Sequence, residues 1–196
     1  MRLSLLRSGA LIGACALALF ALFYAVALVT YSHSDPAFNS AGPVLMQHNW
    51  MGQSGAYLSD AMLFLFGMPA ILLVPLMLVF AQRLWRDIRQ PHWKRQSLMC
   101  VAGMLLIGFG MAHWQHGSDV NLPAGWGGIF ALLADSGITS LISGLSDGWH
   151  FLVKLLLVAA SLIAGLAIAI RSLELEEPLF RMPSVALPRP AIDRKS

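Results

Sequence analysis

The sequence is short of charge. Asp, Glu, Lys and Arg make up only 12% of its 196 residues, about half the ~25% of an average soluble domain. Hydrophobic residues reach 57%, where about 45–50% is usual. A water-soluble domain of this length must cover a large surface with polar groups, and 13 basic plus 10 acidic side chains do not suffice. Disorder is excluded as well, because it requires low hydrophobicity and high net charge. The net charge of +3 is too small to argue for a nucleic-acid partner. A polytopic membrane protein remains.

Cysteine is scarce too. Cys15 and Cys100 lie inside apolar runs, where a thiol behaves as a small hydrophobe. Neither outer loop identified below holds a cysteine, which rejects a membrane enzyme that makes disulfides. Catalytic signatures are also missing. There is no G-x-x-x-x-G-K-[ST] loop to cradle phosphates, no G-x-G-x-x-G, and no G-x-S-x-G elbow. No catalytic residue, cofactor ligand or metal ligand is therefore assigned.

What the chain has is long apolar runs. Residues 8–32 carry no charge and extend ~37 Å as a helix at ~1.5 Å per residue, more than a ~30 Å hydrocarbon core. This exceeds the ~7–15-residue apolar region of a signal peptide, so an uncleaved first span is expected. Spans are predicted at about 8–31, 56–81, 97–114 and 148–170. The second contains Pro69 and Pro75 and is expected to be one kinked helix, since proline removes a donor and crowds the preceding turn.

Orientation follows from the basic residues beside the helix ends. All of the 13 except Lys154 lie in the N-terminal segment, the loop after the second span, or the C-terminal tail. Both termini and the middle loop are therefore expected in the cytoplasm, and residues 31–55 and 115–147 outside. In the second outer loop, Ile138, Leu141, Ile142 and Leu145 recur at amphipathic helical spacing, which predicts one or two short interfacial helices. Trp50, Trp114, Trp126 and Trp149 would form an outer aromatic belt, and Trp85 and Trp93 an inner one. Residues 1–172 read as one four-pass membrane domain. Residues 173–196, with Pro178, Pro183, Pro188 and Pro190, read as the start of a Pro-rich cytoplasmic linker.

Asp60 and Lys154 intrude on spans at matching depth. Such charges are costly, and either snorkel to the headgroups or pair. Independent snorkelling and a direct Asp60–Lys154 ion pair are both open. The histidines His33, His48, His113, His116 and His150 gather toward the outer face, and His92 lies in the middle loop. None has a carboxylate at ligand spacing beside it, so solvated interfacial histidines are the expectation over metal or haem ligands.

A more specific pattern closes the first span and opens the second. Thr30-Tyr31 is followed by Asp35-Pro36, then Asn49-Trp50-Met51-Gly52, then Gly55-Ala56 with Ser59-Asp60, and finally Phe66-Gly67. Asp35 in an Asx turn and Pro36 would stop the first helix, and Gly52 and Gly55 would allow tight backbone paths. The pattern resembles the N-terminal four-helix membrane domain of the FtsK/SpoIIIE DNA translocases. In that family a T/S-Y/F-x-x-x-D-P segment closes helix one, a G-x-x-G-A-x-x-A/S-D segment opens helix two, and an F-G pair continues it. Asn121-Leu122-Pro123-Ala124-Gly125 with Gly127-Gly128 is similar to the family's glycine-rich second outer loop. Asp35, Pro36, Gly52, Gly55, Asp60 and Gly67 are the structural-motif residues the resemblance selects.

The resemblance implies an all-α, four-pass anchor in the bacterial inner membrane at the division septum. Its implied partners are the bilayer, division-complex membrane proteins and further copies of itself, a hexamer by analogy with the family. DNA and ATP would be handled only by a motor absent from these residues. The chain is either the N-terminal part of a full translocase or a stand-alone membrane module. The competing reading is a small polytopic transporter, or a haem or metal redox subunit built on the outer histidines.

Overall fold

Inside a bilayer a backbone must satisfy its own hydrogen bonds, and a helix does so within one segment. The computed structural model of the chain is accordingly helical. It describes residues 2–38, 47–88, 92–114, 121–144 and 146–173, without the side chains of residues 2–6, 114 and 147. His116, Leu145 and the proline-punctuated tail from residue 174 lie outside the described residues. Among those described, the helices are α1 (Arg2–Val29), α2 (Gly52–Phe66), α3 (Leu73–Trp85), α4 (Trp93–Trp114), α5 (Gly128–Ile142) and α6 (Asp147–Ser172), with a 3₁₀ segment at Met68–Leu72. Four stretches are long and apolar enough to cross a membrane: Arg7–Val29, Met68–Trp85, Trp93–His113 and Gly148–Ser172.

The second run departs from the expected kinked helix, because it is broken. Gly67 leaves the helix at φ 66° and ψ −151°, and the chain restarts through the 3₁₀ segment into α3. Pro69 thereby falls in the first turn after the break, where a missing N–H costs no intrahelical bond, and Pro75 stands where the 3₁₀ segment passes into α3. The break is filled from elsewhere: the Met68 N–H donates to the Trp126 carbonyl at 2.8 Å. Backbone meets backbone at this crossing. A Cβ on Gly67 would stand 2.1 Å from the Trp126 oxygen, and one on Gly128 (φ 75°) would stand 2.5 Å from the Leu65 oxygen. The segment leading into α5 is thus docked on the interruption of the second span, with Phe130 against Phe66.

α4 is the central helix, with 44% of its spanning stretch buried against 17% for α6. Small residues let α4 and α6 approach closely. A Cβ on Gly103 would lie 3.0 Å from the Gly165 carbonyl and 3.2 Å from the Ala169 Cβ, and one on Gly110 would meet Leu162. These pairings run in opposite sequence directions, so the two helices are antiparallel. α1 packs along α2 and α3, and Tyr24, fully buried, donates to the Ala70 carbonyl at 3.0 Å. A core of Ala70, Leu76, Cys100 and Met104 joins the 3₁₀ segment, α3 and α4. The outer surfaces of α1 and α6 remain apolar, with Leu19, Ile163 and Leu166 exposed. In water such faces would aggregate; in lipid they are solvated.

α5 is helical as expected but begins earlier and presents a different face. It packs against α4 and α2; Ala131 is buried and Asp135, Ile138, Thr139 and Ile142 are half-buried, while Leu141 is 85% exposed. A half-buried aspartate takes the place expected of a leucine because α6 supplies it with a cation.

Candidate functional site

Asp35, Pro36, Gly52, Gly55 and Asp60 lie at the junction of α1 and α2 in a polar clasp, whereas Gly67, at the other end of α2, lies at the crossing with Trp126 and Gly128. Asp35 is 1% exposed. It accepts the His48 and Asn49 backbone N–H groups at 2.8 Å each and lies 3.1 Å from His48 Nδ1. These two donors belong to the chain entering α2, 13 and 14 residues on, so Asp35 ties the end of α1 to the start of α2. Pro36 is buried beside it.

The side chain of Asn49, also buried, connects two pieces of backbone. Its Nδ2 donates to the Ala27 carbonyl of α1 at 2.9 Å, and its Oδ1 accepts the Met51 N–H at 3.0 Å. Thr30 Oγ1 accepts the Trp50 N–H at 3.2 Å while its hydroxyl donates to the Val26 carbonyl. Gly52 takes φ 67° to enter α2. Gly55 has no room for a side chain, since a Cβ would come within 2.5 Å of Asn49 Oδ1. One turn on, Ser59 donates to the Gly55 carbonyl at 2.8 Å. Asp60, 1% exposed, accepts from the Tyr31 hydroxyl at 3.3 Å. Burial, together with the Asp60 and Asp35 carboxylates, pushes the Tyr31 phenol well above its ordinary range and keeps it a donor. Of the groups that the end of α1 and the start of α2 would leave unpaired, the Val26, Ala27 and Leu28 carbonyls and the Gly52 and Gly55 N–H groups have partners here.

Lys154 does not pair with Asp60. It lies 3.2 Å from Asp135 Oδ1, donates to Asp135 Oδ2 at 3.3 Å, and donates to Thr139 Oγ1 at 3.0 Å. The contact with Oδ1 is ionic rather than a well-aligned hydrogen bond. His113 Nδ1 of α4 stands 3.9 Å from the same oxygen. Three helices therefore meet at one carboxylate. The two expected intruders are separated because α5 lies against α4 and brings its own acid to Lys154. Asp135 carried only a weak signal, an acid with Thr139 one turn on, because Asp147 stands nearer to Lys154 in the sequence. Asn49 stood in the family-like pattern but was not selected as a site residue, since a buried asparagine looks like any loop asparagine.

A double-mutant cycle checks this assignment. The side chains of Lys154 and Asp135 are 14% and 24% exposed, so the ~3–5 kcal/mol loss for breaking a fully buried pair is discounted. Asp135→Asn and Lys154→Met should each cost about 2 kcal/mol in detergent-unfolding titrations, with a coupling of about 1 kcal/mol. The Asp60→Asn and Lys154→Met pair should be additive.

Among the described residues no three His, Cys, Asp or Glu side chains come together as metal ligands would. His48 and His113 each lie beside a carboxylate, and the two carboxylates belong to separate clusters.

The chain matches the family model described as the 4TM region of DNA translocase FtsK/SpoIIIE over residues 7–173. It is 31% identical over 132 residues to a DNA translocase FtsK of Azospirillum brasilense, covering 66% of this chain and 21% of that protein. It is also 31% identical over 128 residues to a DNA translocase FtsK of Pseudomonas putida, covering 63% of this chain and 15% of that protein. The match therefore spans about a fifth or less of these relatives. No solved structure matches the chain.

Proposed function

Since the chain belongs to the family of the FtsK/SpoIIIE four-helix membrane region, we propose that it is the membrane anchor and septum-targeting module of a DNA translocase coupling cell division to chromosome segregation. The observation that carries this reading is that the family match takes in all four apolar helices and both inter-helix clusters. The clasp and the Asp135–Lys154 contact are architecture rather than chemistry: their polar atoms face one another, as a scaffold requires.

We place both termini and the loop between α3 and α4 in the cytoplasm, with the clasp, α5 and the start of α6 at the outer interface. The basic-residue distribution supports this orientation. In this arrangement ATP hydrolysis and DNA handling belong to a motor in the longer relatives. Division-complex membrane proteins and further copies, a hexamer by family likeness, would meet the helix faces and outer loops.

A fluorescent fusion at Ser196 tests the reading. It should collect at the septum of dividing cells, and the purified chain should neither hydrolyse ATP nor bind DNA with a marked salt dependence. Uniform envelope fluorescence with stable full-length expression would overturn the targeting role. Reporters after Gln90 and Ser118 should read inside and outside.

A further inference from the structure

Beside the clasp, on the opposite side of Thr30 and Tyr31 from the core, lies an open groove of about 520 Å³. This falls within the ~300–1,000 Å³ of small-molecule sites. Its character changes along its length. Ala25, Val26 and Val29 form an apolar wall on the last turns of a span that ends at Val29. Beyond the end of that span, Thr30, Ser32, His48 and Trp50 form the rim.

Among the described residues, two side-chain nitrogens at the rim have no hydrogen-bond partner. Asp35 and Ser34 occupy Nδ1 of His48 at 3.1 and 3.3 Å, so Nε2 points away from them, a donor when the ring is protonated. The His48 side chain is 58% exposed. Trp50 uses its backbone N–H on Thr30, and its side chain is exposed at 79%, as is Val29, leaving the indole N–H for a ligand. The nearby acids are turned inward: Asp35 is covered by His48, and Asp60 is reached through Tyr31.

We propose that this groove holds one glycerophospholipid. An acyl chain lies along Ala25, Val26 and Val29, and the phosphodiester accepts from Trp50 Nε1 and His48 Nε2. The apolar wall continues the lipid-facing side of α1, and the donors stand where the span ends and headgroups begin. That gradient fits a lipid rather than a soluble anion, which would leave the apolar wall wet. It also fits better than an apolar membrane helix, whose backbone carbonyls are spent on its own hydrogen bonds. An indole at this level has the amphipathic form suited to the interface.

Photo-crosslinking tests the assignment. A diazirine-bearing side chain replaces Val29 in the full chain, which is purified in mild detergent and incubated with palmitoyl-oleoyl phosphatidylglycerol. Free lipid is removed by gel filtration before irradiation and intact-mass measurement. The lipid adduct should exceed by about tenfold that from the same side chain at Leu156, which is exposed on α6. Trp50→Ala should bring the yield down to the Leu156 level with helical content unchanged, since that side chain covers little of the protein. Equal yields at positions 29 and 156 would overturn the proposal and leave only general lipid contact. Crosslinks from position 29 in cells that go to protein rather than lipid would also overturn it, by showing that a second copy or another membrane protein fills the groove.

Discussion

Gly67→Val should be the most damaging single substitution in the chain, costing about 4 kcal/mol or more, enough to leave little folded protein. Two effects combine. A β-branched residue is strained at the φ of 66° that Gly67 adopts. Its Cβ would also stand 2.1 Å from the Trp126 carbonyl oxygen and 2.6 Å from the Gly128 nitrogen. Backbone atoms cannot rotate aside as a side-chain tip can, so the segment around Trp126 must lift off the break. The Met68 N–H then loses the acceptor that replaces its helical bond. Gly128→Ala should behave similarly, because it meets the Leu65 carbonyl and the Gly67 nitrogen across the same crossing. Gly137→Ala is the control. Gly137 lies inside α5 with nothing within 4 Å of its would-be Cβ, and the change should stabilise by about 0.5–1 kcal/mol. Detergent-unfolding titrations of the three variants check the order.

Asp35→Ala should cost about 3–5 kcal/mol, because a carboxylate with 1% exposure accepts two backbone N–H groups and faces an imidazole. Hydrogen bonds to a charged group are worth ~1.5–3 kcal/mol each, and alanine leaves both donors buried without that acceptor. Asp35→Asn should recover only part of this loss. Its amide oxygen can accept one N–H, but its NH₂ then points at the other donor. Hydrogen exchange at the His48 and Asn49 amides gives a local reading, and both should accelerate in either variant while amides in α4 change little. Uniform acceleration across α4 and α6 would mean that the clasp is coupled to the whole bundle rather than to the α1–α2 junction.

Much of the architecture was legible before any coordinates. Lipid solvation demands long uncharged stretches, and those are countable, so α1, α4 and α6 lie where the apolar runs do. Local turn chemistry was partly legible: Gly52 opens α2 in the structure, whereas α1 ends at Val29, seven residues before the Pro36 expected to stop it. Partners at longer range were not. Asp35 finds its donors 13 and 14 residues away, and nothing in a helical or turn period points across that interval.

The sequence by itself determined a membrane-embedded helical protein, the number of its apolar runs, and the family to which its Asp-Pro and glycine pattern belongs. Hydropathy and spacing are properties of single segments and need no partner to be read. Tertiary structure alone decided which segments touch. It broke the second run at Gly67, since only a neighbouring backbone at Trp126 could satisfy the freed N–H. It turned α5 so that Asp135, rather than Leu141, faces the bundle. It gave Lys154 to that aspartate and Asp60 to Tyr31. Pairing of buried charges depends on which helices are adjacent, and adjacency here follows from glycine–backbone contacts, such as those of Gly67 with Gly128 and Gly103 with Gly165, that no one-dimensional pattern encodes.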